Sequence, residues 1–331
     1  MQRVNFLANF KILVLAGLIL AGFCLPASAQ VSRWLGEWPN TDFTKTSVEF
    51  SEIFSGGPPR DGIPSLPSVD FIKVGDESRL GDREPVITVE MEGQEPRAYP
   101  VRYLTWHEIA NDVIGDVPVA VTFCPLCNSG LVFDRRVNGK VLSFGVSGKL
   151  RNSDMVMFDR ETESWWQQII GAGIVGEHTG TELVQIVSWM ESWEEFKNRN
   201  PNGLVMDEPR AARSYGSNPY TGYDSSSRPF LYNGEMPPHN IQPLARVLKI
   251  GDRAWPLERL RDVETLEEDG FIITWSSGQA SALDSRRIAK GKNVGTIRVK
   301  DAATGADVRH DVVFAFAFHA FFPQGRWMLG G

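Results

Sequence analysis

Residues 117–146 read VPVAVTFCPLCNSGLVFDRRVNGKVLSFGV. Val117 to Phe123 is an alternating run rich in β-branched residues, the pattern of a strand, and it leads straight into Cys124-Pro125-Leu126-Cys127. After Asn128-Ser129-Gly130 come two more alternating segments on either side of Asn138-Gly139. An Asn-Gly pair in that setting is a strong hairpin signal, because both residues accept a positive φ. The chain around its CxxC motif is therefore β, and the motif opens onto a turn and not onto a helix.

Upstream, VITVEM (86–91) and PRAYPVRYL (96–104) read as short alternating runs, and TWHEIAND (105–112) as a short helix. Prolines 58, 59, 64 and 67 in GGPPRDGIPSLPSVDF forbid a long helix or a central strand there. The order then returns. RVLKIGDRAWPLERL (246–260) matches ITVEMEGQEPRAYPVRYL (87–104), IITWSSGQASALDSRR (272–287) matches AVTFCPLCNSGLVFDRR (120–136), and KGKNVGTIRV (290–299) matches NGKVLSFGV (138–146). So long a period points to duplication of a subdomain and not to a solenoid. Cys124 then faces Ser276, Cys127 faces Gln279, and WHEIAND has no counterpart. The expected fold class is α+β, mainly β, with two related β-rich halves (internal duplication) and a few short helices. The expected division is a signal peptide over 1–29, an irregular Pro/Gly-rich arm over 30–84, a first half over 85–200 carrying CPLC, a Tyr/Pro-rich connecting segment over 201–245, and a second half over 246–331.

The opening MQRVNFLANFKILVLAGLILAGFCLPASAQ sets Arg3 and Lys11 ahead of an apolar run from Ile12 to Leu25, then Ala27-Ser28-Ala29 before Gln30. That is the layout of a cleavable secretory signal, and the run is shorter than the roughly 20 residues of a spanning helix. The expectation is a periplasmic or secreted protein with no membrane insertion after cleavage. Phe23 is bulky where a lipoprotein signal wants a small residue, so Cys24 leaves with the leader. Losing Arg3 and Lys11 takes the formal net charge from -7 to -9, which argues against nucleic acid or anionic lipid as a partner bound by charge. Ten Trp and nineteen Phe fit a packed, β-rich chain better than a disordered one.

Cys124 and Cys127 then carry the chemistry. A C-x-x-C pair closes so short a loop that a disulfide there restrains the unfolded chain little. A soft-metal site, a redox dithiol and an inert disulfide all remain open. A thioredoxin-like motif would open a helix whose dipole lowers the first thiol's pKa, and the turn after CPLC argues against that fold. One strand before the motif, His107 would share a helical face with Asn111, beside Glu108 and Asp112; no second His follows to make a zinc-protease motif. Its absence from the second half makes His107 the expected third partner, both as ligand and as catalytic residue. Two thiolates and an imidazole suit copper or zinc. Met157, alternating with Met155 on a strand, offers a thioether to Cu(I), and His319, which alternation along VVFAFAFHAFFP sets with Ala315 and Ala317 on the face opposite Phe314, Phe316 and Phe318, offers an imidazole, although core packing is the default use of both. Asp159, Arg160, Ser164 and Gln168 line a pocket or make a turn. His178, His239 and His310 lie in polar, loop-like segments without a signal.

GGPPRDGIP, AYPVRYLTWHEIAND, PVAVTFCPLCNSGLVFDR, FGVSGKLRNSDMVMFDRETESWWQQ and NPYTGYD together resemble domain-of-unknown-function family 3179, over nearly the whole mature chain. The resemblance implies relatives and no reaction. It places the family's WHEI-x-ND and CPLC segments on Trp106 to Asp112 and Cys124 to Cys127, and Glu163 stands where the family's DRETGS pattern has Gly. The functional expectation is an exported metal-binding or thiol-redox protein, its partner a metal ion, a small molecule or a redox protein. The alternative is a non-catalytic secreted binding module in which CPLC is a structural disulfide.

Overall fold

The computed structural model describes residues 27–330, so the expected signal peptide lies outside the described residues up to position 26. Residues 1–39 and 40–331 form separate units. In the first, the helix Ala27–Trp34 spans the expected cleavage position. No described helix is long and apolar enough to cross a membrane.

In the second unit the described strands build five sheets of three to five strands and one two-stranded ribbon. The protein is mainly β with few helices, and its sheets resemble a five-bladed β-propeller without falling clearly into two related halves. The central strand Val117–Cys124 pairs antiparallel with Ile109–Ile114 on one side and Ser129–Asp134 on the other. From Pro118 onward every residue of that strand is buried, on both faces, which suits its β-branched composition. Asn138 and Gly139 take φ of 50° and 78° between Arg136–Val137 and Lys140–Val141, the expected hairpin. The Pro-rich arm contributes Ile53–Ser55 and Phe71–Lys73, each at the edge of its sheet, where nearby prolines cost no ladder hydrogen bonds.

Two expectations fail on element type. TWHEIAND is not one helix: the helix is Val101–His107, Glu108 ends it with φ 57°, and Ile109–Ile114 is a strand. His107 and Asn111 therefore share no helical face. VVFAFAFHAFFP is strand only to Phe314, after which Ala315–Phe321 is helix. Residues Ala315 to Phe318 are all buried, so no polar positions mark the helical period by which such a segment is read.

The order strand, strand, helix, strand, strand, strand occurs over Pro85–Asp134 and again over Arg246–Asp301. The helices Val101–His107 and Leu257–Val263 both follow a proline, and both end on a glutamate of positive φ, Glu108 and Glu264. WHEIAND thus has a counterpart in the second stretch, contrary to expectation, with Val263 at the place of His107. Cys124 pairs with Ser129 as Ser276 pairs with Thr296. The strand Thr296–Asp301 accordingly corresponds to Ser129–Asp134, and a loop from Ser277 to Gly295 stands where the first stretch has its CPLC turn.

Candidate functional site

Two tight turns face each other. One joins Val117–Cys124 to Ser129–Asp134 through CPLC, with Asn128 at φ 55°. The other joins Phe144–Arg151 to Asp154–Asp159 through Asn152 and Ser153, at φ 50° and 63°. Short polar side chains tolerate the left-handed region better than bulky ones do. The Cys127 thiol lies 3.6 Å from the Ser153 carbonyl oxygen. Ligand atoms of Cys124, Cys127 and Asp154 lie within 4.8 Å of one another, all three residues are buried, and both cysteines are free.

Asp154 is oriented from behind. Its Oδ2 accepts from Gln167 Nε2 at 2.6 Å and from the Ile169 amide at 3.1 Å, and the two thiols are the other groups that face the carboxylate. Burial pushes this carboxyl up to about 6. Burial also raises the Cys124 thiol and carries Cys127 well above its ordinary value, and the charge of Asp154 adds to both. No helix begins at the motif, so no helix dipole offsets these effects. Without a cation the centre keeps its thiols protonated at neutral pH.

The CPLC turn is gripped from the far end of the chain. The Phe314 amide donates to the Cys127 carbonyl at 2.9 Å, and Asn128 Nδ2 donates to the Val312 carbonyl at 2.7 Å. Asp311 accepts from the Ser129 hydroxyl at 2.6 Å and the Gly130 amide at 3.1 Å. These bonds fix the backbone on which both sulfurs are mounted.

A cleft of about 590 Å³ adjoins the turn, bordered by Glu108, Leu126, Met155, Tyr220, Tyr223 and Phe230 among others. Glu108 is only 7% exposed. The Tyr220 hydroxyl donates to its Oε1 at 3.3 Å, and burial pushes the carboxyl up to about 7. Tyr223 is tied to the CPLC loop through the Leu126 carbonyl, at 3.1 Å.

The residues singled out from sequence scatter. Cys124 and Cys127 come together, but His107 does not join them in the cluster. Its Nδ1–H donates to the Pro64 carbonyl at 2.7 Å, so its Nε2 is the acceptor for the Tyr215 hydroxyl at 2.6 Å. Both ring nitrogens are spent on holding two loops, and burial keeps the ring below its ordinary pKa. Met157 is fully buried between Val146 and Trp166, and it is Met155 that reaches the cleft. His319 sits in the helix Ala315–Phe321, 3.9 Å from Glu235. Asp159 makes a turn, accepting from Thr162 and from the Trp166 indole, and Gln168 braces Thr122. His178 and His310 lie in loop segments, as expected, but both are buried.

Sequence reasoning missed Asp154, Tyr220 and Tyr223, and it valued Glu108 only as a neighbour of His107. The signals were present: Asp154 follows the Asn-Ser turn directly, and both tyrosines lie in NPYTGYD. Glu163 keeps the tight turn although glycine is the easier residue there. It adopts φ 56°, and its carboxylate takes hydrogen bonds from the Asn40 amide at 2.9 Å and Arg60 Nη1 at 2.8 Å.

A family model described as a protein of unknown function, DUF3179, matches residues 60–325. The chain belongs to the DUF3179 family. No curated protein and no solved structure matches it. The match spans both facing turns, the grip on CPLC and the cleft residues named above.

Proposed function

We propose that this DUF3179 protein is exported and holds a soft metal ion, copper or zinc, on Cys124, Cys127 and Asp154. The observation that carries the reading is the buried convergence of two free thiols with a carboxylate. A cation there would draw the protons off both thiols and replace their contacts with the carboxylate by stronger bonds to the ion. Two thiolates and one oxygen suit Zn²⁺ with a fourth position open, and the sulfurs alone suit Cu(I). Asp154 takes the place first expected for His107. Dithiol exchange is less well supported, since it needs an accessible thiolate and both thiols are buried with raised pKa values. The export reading rests on the layout of residues 1–29.

The two stretches of matching element order support duplication as the origin of the halves. The second half carries Ser276 where the first has Cys124, and it exposes Glu264 where the first buries Glu108. It serves as scaffold, holding the turn of its partner.

Metal content and titratable thiols, counted on purified protein after reloading with Cu(I) or Zn²⁺ and dialysis, test this. Wild type is expected to retain one ion per chain. Cys124→Ser, Cys127→Ser and Asp154→Asn each lose it, whereas Ser276→Ala and Gln279→Ala keep it. Two freely titrating thiols with no retained ion in wild type would sink the metal reading.

A further inference from the structure

We infer that the cleft beside the thiol turn binds a small organic amine, its ammonium paired with Glu108. This site is separate from the metal ligands and does not depend on an ion being held. Glu108 is nine-tenths buried yet borders the cleft, and its one side-chain hydrogen bond, among the described residues, comes from Tyr220. No described cation forms an ion pair with it. Its other oxygen opens onto the cleft, and a carboxyl so largely out of water gains from a charged donor.

The backbone points the same way. Glu264 closes the matching helix with nearly the same φ, 59° against 57°, but its side chain is exposed. The strained cap is thus common to both stretches, and what is particular to the first is a carboxyl turned to a cavity. Around it stand the rings of Tyr220, Tyr223 and Phe230 and the apolar side chains of Leu126 and Met155. Aromatic rings bordering a carboxylate are the surroundings in which organic cations are held, and the volume suits a ligand of modest size.

Two cations also border the cleft, and they do not decide its character. Arg228 is exposed, so water and salt screen it. Lys149 is buried, and its ammonium is engaged over the Trp165 ring at 5.2 Å. On the other side, the charge of Asp154 acts on Glu108, and it favours a cation.

Calorimetry on the intact protein, metal-stripped and metal-loaded, with benzylamine, benzyl alcohol and benzoate as probes, tests the inference. Benzylamine is expected to bind about ten- to a hundredfold more tightly than its neutral isostere, the range of a charge-assisted hydrogen bond, and benzoate more weakly than either. Glu108→Gln should abolish that preference while leaving metal content at the wild-type level, which separates this site from the thiol centre. The comparison of probes on wild type stands even if the variant fails to fold. Benzoate binding better than benzylamine, or amine and alcohol binding alike, would overturn it.

Discussion

Replacing Glu108 with Gln swaps a carboxyl for a neutral amide of the same shape, and its effect on stability has a definite sign with pH. Burial raises the carboxyl from an ordinary 4.5 to about 7. Between those values the folded chain binds more protons than the unfolded one, so stability is full below about pH 4.5 and is lost as pH rises through about 7. At about 1.4 kcal/mol for each pH unit, the loss is about 3 kcal/mol. Asp154, raised from 3.8 to about 6, pulls in the same direction. The share of Glu108 is therefore read as the difference between wild type and variant, not from the wild-type slope. Urea unfolding of the metal-stripped protein, followed by tryptophan fluorescence from pH 4 to 8, measures it. The variant should match wild type near pH 4.5 and exceed it by about 3 kcal/mol at pH 8. Parallel profiles across that range would show that Glu108 ionises as freely in the fold as in water, and the account of its burial would fail.

If both thiols are protonated until an ion arrives, each ion releases two protons, and apparent metal affinity should rise about a hundredfold per pH unit between pH 6 and 8; a flat profile in a pH-stepped competition titration refutes this. Gly148 has φ 72°, and a Cβ there would lie 2.1 Å from the Pro58 carbonyl oxygen, so Gly148→Ala should cost about 2–4 kcal/mol. Gly139, at φ 78° in open space, should lose only about 1 kcal/mol on the same change, and melting curves of the pair separate the clash from the backbone effect. His107→Ala strands the Pro64 carbonyl and the Tyr215 hydroxyl, so a loss of about 2–3 kcal/mol is expected with metal retention unchanged; elemental analysis showing lost metal would return His107 to the site.

Where local chemistry decides structure, the sequence was readable. The Asn138-Gly139 hairpin, the strand into CPLC and the edge placement of the Pro-rich arm all follow from turn residues and alternation. The thiol pair was visible because its two members are three positions apart. Asp154 was not, because it reaches the sulfurs only when a second hairpin, folded on its own local signals, is laid against the first. Tyr220 and Tyr223 come from a segment with no periodicity at all, read merely as a connection between halves. His107 misled for a related reason: adjacency in sequence suggested a shared helix, and the positive φ at Glu108 turned the chain into a strand one residue later.

The grip on the CPLC turn also has a consequence for the order of events in the life of the chain. Asn128 and Val312 are 184 positions apart, and a contact of such long range closes late because its loop entropy must be met before it is rewarded. Until the strand Asp311–Phe314 docks, the hairpin bearing the two thiols lacks these hydrogen bonds. A chain cut short before residue 311 would carry every proposed metal ligand and still lack the strand that grips their turn. Faster labelling of both cysteines in such a chain than in the full one is the expected outcome, and equal rates would show that the grip does not protect them.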